Sequence, residues 1–311
     1  MTETFPRIAV LLPCYNEAAA IAQTVTDFRT ALPDAIIYVY DNNSSDATCE
    51  IATAAGAIVR VERMQGKGNV VRRMFADVEA DIYVMADGDA TYEAAAAPAL
   101  VKQLVDENLD MVVGARKSEI DAAYRRGHRF GNAMLTGMLA WIFGRSFTDI
   151  LSGYRIFSRR FVKSFPVLSS GFEIETEISV HALELRMPVA EQVTAYAARP
   201  EGSESKLNTW RDGFRILNTI LTLFRYERPM QFFGSIAAAF ALTAIILSIP
   251  LLITFMNTGL VPRFPTAILA TGLMILSALN GMCGLILDTV VRGRLEVRRL
   301  AYLAYPAPRG S

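Results

Sequence analysis

Two uncharged stretches near the C-terminus constrain this chain more than any other feature. Residues 232–256 (FFGSIAAAFALTAIILSIPLLITFM) run 25 positions without a charge, and residues 264–287 (FPTAILATGLMILSALNGMCGLIL) run 24. As a helix the first reaches roughly 37 Å at ~1.5 Å per residue, enough for a hydrocarbon core of about 30 Å. Pro250 is tolerated there as a kink. The connection, 257–263, is short and holds one basic residue, Arg263. Arg225 and Arg228 precede the pair, and Arg292, Arg294, Arg298 and Arg299 follow it. The positive-inside rule predicts two transmembrane helices with both flanks in the cytosol and the short loop on the far side.

The remaining composition narrows the class. Hydrophobic residues make up 52% of the 311, charged residues 20%, and mean hydropathy is +0.28. This excludes a disordered chain. Formal charge is +0, so no global basic field invites nucleic acid. The neutrality hides a split: residues 1–198 carry 19 basic against 25 acidic side chains, and residues 199–311 carry 12 against 6. Three cysteines (Cys14, Cys49, Cys283) without paired spacing give neither a disulfide framework nor a zinc pattern. The two histidines, His128 and His181, are too few for a histidine metal site and read as structural. The N-terminus has no basic segment followed by an apolar core, so no signal peptide is expected.

Residues 1–198 alternate apolar strands with helical stretches. RIAVLL (7–12), AIIYVY (35–40), GAIVRVE (56–62), DIYVMA (81–86) and DMVVGA (110–115) read as strands. Residues 16–30, 66–79, 94–108 and 121–143 read as helices. This alternation predicts an α/β fold with a parallel-rich mixed sheet. Ligands of such sheets bind beyond the C-terminal strand ends. LLPCYNE, DNNSSD and ADGDATY all follow strands, so they should converge on one crevice. No GxGxxG follows the first strand, and GKG at 66–68 lacks the spacing and the Ser/Thr of a P-loop. Asp87 and Asp89 flank Gly88 directly after a strand. Two carboxylates on a glycine turn can reach a divalent cation, Mg2+ or Mn2+, completed by substrate phosphates. Alone, the tripeptide is also what a solvated turn looks like; its register with the other strand ends makes it a metal-site candidate.

LLPCYNEAAAI, VYDNNSSDAT, GKGN and MADGDATY stand in the order and spacing of family 2 inverting glycosyltransferases. With TDILSGYRIFSRR, GFEIETE, SESKL and the two apolar runs, the chain resembles the polyprenyl-phosphate glycosyltransferase branch of that family, which includes dolichol-phosphate mannose synthase and undecaprenyl-phosphate glucosyltransferases. The likeness runs over about residues 7–290. It implies a GT-A cytosolic domain with a DXD metal motif and a two-helix transmembrane hairpin. It implies a nucleotide-sugar donor, a polyprenyl-phosphate acceptor in the bilayer, Mg2+ or Mn2+ as cofactor, and no nucleic-acid partner. Homo-oligomerisation is left open. The domain reading is 1–198 for the glycosyltransferase domain, 199–231 for an amphipathic segment at the membrane surface, 232–290 for the two spans, and 291–311 for a basic cytoplasmic tail. The expected location is the inner, cytoplasmic membrane, multi-pass, with the enzyme domain in the cytosol.

Carried onto this sequence, the resemblance places Pro13, Tyr15, Asn16, Glu17, Asp41 and Asn42 around the nucleoside. Asn42 stands where the family has a second acid. Lys67 belongs beside the donor diphosphate, and Asp87 and Asp89 hold the metal. Arg116 and Arg129, with Arg126 as an alternative to Arg129, and Arg199, Ser205 and Lys206 are assigned to the acceptor phosphate, which suits arginine's planar fork. Asp149 falls near the reacting centre. An acceptor phosphate is already ionised, so Asp149 is read as orienting Arg155 or the sugar rather than as a base; Glu173 and Glu175 have similar claims. Asp89, Asp149, Arg116 and Arg129 form the expected catalytic set. Two alternatives stay open: a glycosyltransferase acting on a saccharide or glycolipid, and a non-catalytic nucleotide-sugar-binding scaffold.

Overall fold

A computed structural model of the chain describes residues 6–118, 137, 141, 147–167, 169, 171, 173–197, 221–222 and 224–308. The chain divides into two compact units, Met1–Ile216 with Val297–Ser311, and Leu217–Glu296.

The first unit is built on one seven-stranded sheet. Its strands are β1 (Ile8–Cys14), β2 (Ile36–Asp41), β3 (Ile58–Val61), β4 (Ile82–Met85), β5 (Met111–Ser118), β6 (Arg155–Ser158) and β7 (Val189–Tyr196), in spatial order β3-β2-β1-β4-β6-β5-β7. The first four run parallel. β6 runs antiparallel to both β4 and β5, and β7 is parallel to β5. The mixed, parallel-rich sheet therefore matches the expected α/β GT-A class. The central strands β1 and β4 read as apolar runs because both of their faces are covered. Val10, Leu12, Val39, Val84 and Ile156 join a core with Phe28, Leu100 and Leu104. On the alternate register, Phe157 lies 5.7 Å from Phe75 and stacks on Phe161 at 4.8 Å.

The helices are α1 (Ile21–Ala31), α2 (Thr48–Ala54), α3 (Lys67–Asp77), α4 (Ala97–Asp106), α5 (Arg159–Ser164) and α6 (Ile174–Glu184). α1 packs on α2 and α4, and α3 on α6. α1 starts at Ile21 and not near Asn16, where the sequence pattern places it. Asn16 adopts φ 53°, and the backbone N–H groups of Asn16, Glu17 and Ala18 are held by Ser44, Thr48 and Asp46 from the next crossover. Those bonds turn residues 16–20 into a loop before the helix can begin. The helix expected over 121–143 lies almost entirely outside the described residues.

The second unit contains α7 (Pro229–Thr258) and most of α8 (Phe264–Leu303), both long and apolar enough to cross a membrane, with mean hydropathy 2.6 and 1.8. Pro250 lies inside α7 without ending it, and Gly259 closes it at φ 68°. Small residues let the two backbones approach. Ser277 donates to the Ala237 carbonyl at 2.8 Å, and a Cβ on Gly284 would lie 3.3 Å from the Phe233 Cβ. α8 continues beyond the expected span end at Leu287 to Leu303, so the segment read as a basic tail is largely helical. Within the first unit its end is anchored: Arg298 pairs with Glu184, and the Tyr302 hydroxyl donates to Asp110 at 2.9 Å. The amphipathic segment expected over 199–231 falls outside the described residues for 199–220 and 223.

Candidate active site

Three strand ends meet as the sequence predicts. The Asn42 N–H donates to the Cys14 carbonyl at 2.9 Å, joining the ends of β2 and β1. Asn16 Oδ1 accepts from the Ser45 N–H at 2.8 Å, while the Asn16 N–H donates to Ser44 Oγ at 2.8 Å. Gly88 carries the DGD turn against β1: a Cβ there would stand 2.3 Å from Cys14 Sγ, so the approach requires glycine. Burial, then the carboxylates of Glu17, Asp41, Asp87 and Asp89, push the Cys14 thiol's pKa well up. Burial is the larger cause, and the four carboxylates from these three loops add to it.

On the nucleoside side, Pro13, Glu17 and Asp41 are buried and Tyr15 is exposed at the rim. Asp41 Oδ2 accepts from the Ser44 N–H at 3.0 Å. Asn42 is an internal strut. Its Nδ2 donates to the Glu62 and Met64 carbonyls, both at 2.9 Å, and its Oδ1 accepts from the Gly66 N–H at 2.7 Å. It thereby fixes the loop that leads into Lys67.

Lys67 opens α3 behind Gly66, whose φ of 129° suits glycine. Among the described residues no side chain caps this helix, and its first turn carries no acid. The Lys67 side chain is 10% exposed and lies between two carboxylates, Asp87 Oδ1 at 2.5 Å and Glu175 Oε1 at 2.6 Å. Burial by itself would lower its pKa, but Asp87 and Glu175 hold the ammonium well above the usual lysine range. Glu175 sits in the first turn of α6 and is buried; its Oε2 has no hydrogen-bond partner among the described residues. The second acid of the turn, Asp89, is 2% exposed and accepts from Thr91 Oγ1 at 2.6 Å through Oδ1.

Asp87 is walled by the loop after β5. A Cβ on Gly153 would lie 2.6 Å from Asp87 Oδ2, and the Gly153 N–H donates to the Tyr92 hydroxyl at 2.8 Å. On the same loop Asp149 holds Arg116 with two bonds, 2.7 Å to Nε and 2.8 Å to Nη2, and the guanidinium sits over the Tyr196 ring at 5.5 Å. Glu191 on β7 accepts from the Thr148 and Asp149 N–H groups. Asp149 thus orients Arg116 and not Arg155. Arg155 is fully buried and turned inward, donating to the Ser152 carbonyl at 2.9 Å, to Ser179 Oγ at 2.9 Å and to the Ile150 carbonyl. Its carbonyl partners belong to the loop that presents Asp149. Arg126, Arg129, Arg199, Ser205 and Lys206 lie outside the described residues, as does His128. His181 is buried against Phe161 and Phe165, where its Nε2 meets Ser164 Oγ at 3.1 Å.

Among the described residues no three His, Cys, Asp or Glu side chains form a ready metal cluster. The donor set on the turn is two hard carboxylates. That fits Mg2+ or Mn2+, which complete their shell with water and phosphate oxygens, better than a cation needing an all-protein cage.

A family model described as glycosyl transferase family 2 matches residues 9–165, which carry the first three strand ends, Lys67, the DGD turn, Arg116 and Asp149. The chain belongs to glycosyl transferase family 2. Glycosyltransferase AglJ of Haloferax volcanii is 37% identical to this family 2 enzyme over 250 residues, 80% of this chain and 81% of its own. The dolichol-phosphate mannosyltransferase of Pyrococcus furiosus is 25% identical over 283 residues, 87% of this chain and 78% of its own. Glucosyl-3-phosphoglycerate synthase of Mycobacterium tuberculosis, solved in complex with Mn2+, uridine-diphosphate and phosphoglyceric acid, superposes with a TM-score of 0.55 at 24% identity, covering 70% of this chain and 78% of that one. The GT-A fold is shared. The family match ends before α6, so the place of Glu175, already a candidate by its sequence, comes from the tertiary structure, which sets it against Lys67. The sequence signal for Glu175 was the acid-rich GFEIETE.

Proposed function

We propose that this family 2 glycosyltransferase transfers a hexosyl group, with inversion, from a nucleotide-sugar to a polyprenyl phosphate of the undecaprenyl type, as an integral enzyme of the cytoplasmic membrane. The observation that carries the reading is the combination in one chain of a diphosphate-competent crevice, Lys67 with Asp87 and Asp89, and two helices of membrane-spanning length. Relatives named for dolichol-phosphate transfer support the acceptor class.

In this reading Pro13, Tyr15, Asn16, Glu17 and Asp41 border the nucleoside, with Asn42 beside them bracing the loop that leads into Lys67. Asp87 and Asp89 would hold the divalent cation, which supplies charge neutralisation for the departing nucleoside diphosphate. Lys67 binds the same diphosphate. Arg116, fixed in plane by Asp149, receives the acceptor phosphate together with Arg126 or Arg129 and with Arg199, Ser205 and Lys206. A phosphate oxygen attacks the anomeric carbon as the bond from that carbon to the diphosphate oxygen breaks; the electron pair leaves with the nucleoside diphosphate. The nucleophile is already an anion, so no residue needs to remove a proton. Positioning and electrostatic stabilisation carry the rate. The hairpin retains the enzyme where the prenyl chain resides.

The test incubates detergent-purified full-length protein with a panel of radiolabelled UDP- and GDP-sugars, Mn2+ or Mg2+, and undecaprenyl phosphate. The expected result is one labelled lipid-linked sugar. Transfer to a free saccharide or glycolipid with none to undecaprenyl phosphate overturns the acceptor assignment. Nucleotide-sugar binding without any transfer or hydrolysis favours a scaffold.

A further inference from the structure

Lys67 opens α3 with its side chain 10% exposed, so its ammonium is not a solvated loop charge. It bridges Asp87, an expected metal ligand, and Glu175, which the diphosphate reading leaves without a task. Glu175 is 4% exposed, and its second oxygen has no hydrogen-bond partner among the described residues. A buried carboxylate with one oxygen unpaired carries a desolvation cost, which the Lys67 ammonium on its other oxygen offsets in part. The Lys67–Glu175 contact joins the start of α3 to the start of α6, two rigid elements packed on each other. The Lys67–Asp87 contact reaches across to the DGD turn, whose Asp87 side chain is 29% exposed. One partner is thus fixed inside the domain and the other faces the crevice.

We propose that Lys67 is a charge gate tethered by Glu175: without donor it occupies Asp87 in place of the divalent cation, and it moves to the donor diphosphate when cation and nucleotide bind together. This rests on the donor chemistry proposed above. A divalent cation arriving alone must displace the ammonium from Asp87 and then sit beside it, which like-charge repulsion opposes. When the nucleoside diphosphate arrives too, its oxygens accept the ammonium, and Asp87 is released to the cation. Lys67 has four rotatable bonds to make that exchange, while Glu175 keeps its ammonium from leaving the site. The cation and the nucleotide consequently bind with positive coupling, and the empty site does not hold a cation tightly. Glu175 acts here as a positioning residue, through Lys67.

The experiment reads binding and needs no turnover. Free Mn2+ is titrated by electron paramagnetic resonance against purified full-length protein, alone and with saturating UDP or GDP. Lys67→Met should tighten binding of Mn2+ alone by roughly tenfold or more, because Asp87 loses its internal cation. The same change should remove most of the coupling between Mn2+ and nucleotide. Glu175→Gln leaves Lys67 to Asp87 alone and should weaken binding of Mn2+ alone. If Lys67→Met is too poorly folded to purify, the double variant Lys67→Met with Glu175→Gln removes one charge of each sign and should still lose the coupling. Lys67→Met with unchanged affinity for Mn2+ alone and reduced nucleotide affinity makes Lys67 a plain phosphate ligand and overturns the gate. Altered stability with both affinities and their coupling intact makes it a strut and also overturns the gate. A wild-type protein that binds neither UDP nor GDP at any Mn2+ concentration refutes the donor reading, while the comparison with Mn2+ alone still decides whether Lys67 guards Asp87.

Discussion

Asp149 grips Arg116 through both of its oxygens, at 2.7 Å to Nε and 2.8 Å to Nη2, and the Arg116 N–H reaches the same carboxylate at 3.2 Å. The pair is mostly buried, with side chains 16% and 11% exposed. A fork held on one edge presents its plane in a fixed direction, which is what bidentate phosphate recognition needs. Arg116→Ala should therefore lower efficiency toward polyprenyl phosphate by about 10- to 100-fold, the equivalent of ~1.5–3 kcal/mol for a charge-assisted hydrogen bond. Nucleoside-diphosphate affinity, measured by calorimetry without lipid, should stay within error. A loss of donor affinity with unchanged lipid dependence would exchange the two halves of the site.

Asp89 is the more buried acid of the DGD turn. Asn keeps an oxygen for Thr91 Oγ1, removes the charge and replaces the other carboxylate oxygen with an amide donor. Asp89→Asn should reduce turnover on the order of 100-fold or more, the scale of losing one electrostatic stabiliser of a departing anion, with an unchanged circular dichroism spectrum. Near-normal turnover in a folded variant would remove Asp89 from the metal site.

Asn42 makes three hydrogen bonds that only an amide can make in that orientation. Asp at this position would aim a carboxylate oxygen at two carbonyls that now accept from Nδ2. Asn42→Asp should destabilise the full chain by about 2–3 kcal/mol, the range for buried groups left unsatisfied. The measurement is denaturant unfolding followed by Trp fluorescence. A stability equal to wild type would show that Asn42 is not bracing the loop before Lys67.

His181 has its pKa pushed down to about 3 by burial first, with a smaller contribution from Arg298. The native imidazole stays neutral where the unfolded one protonates, near pH 6.5. Stability from this group is therefore complete above about pH 6.5 and falls by ~1.4 kcal/mol per pH unit as pH drops from there toward 3. His181→Phe, packed between the Phe161 and Phe165 rings, should flatten the stability profile between about pH 6.5 and 4.5 by one proton's worth. Identical slopes for the two proteins would place the acid sensitivity elsewhere.

The hairpin carries a topological expectation. A tag after Arg309 should be labelled from the cytosolic side of sealed vesicles and one inserted at Thr258 from the opposite side, following the arginines that flank both helices. The reverse pattern would put the crevice on the side of the membrane without nucleotide-sugars.

What could be read along the chain was local. Apolar runs such as IIYVYD and IYVM announce buried strands, an Asp-Gly-Asp after such a run announces a turn at a strand end, and two charge-free stretches announce spanning helices. Each depends on residues within a few positions of one another, so periodicity and composition suffice. The meeting of the β1, β2 and β4 ends also followed, because parallel strands joined by helical crossovers must share a C-terminal edge. The start of α1 did not follow: the helix-like pattern from Asn16 is overridden by Ser44, Asp46 and Thr48, which lie on another crossover. Nor did β6, four residues long and antiparallel between β4 and β5, whose place is set by pairing with strands distant in sequence. The same holds for the charges. Composition counts Asp149, Arg155, Lys67 and Glu175 as ordinary ions, yet the fold ties Asp149 to Arg116, turns Arg155 inward onto backbone carbonyls, and wedges Lys67 between carboxylates from two other elements. Motif and periodicity are properties of neighbours in the chain. The partner of a buried charge is chosen by which elements pack together, and in a low-dielectric interior that choice decides what the charge does.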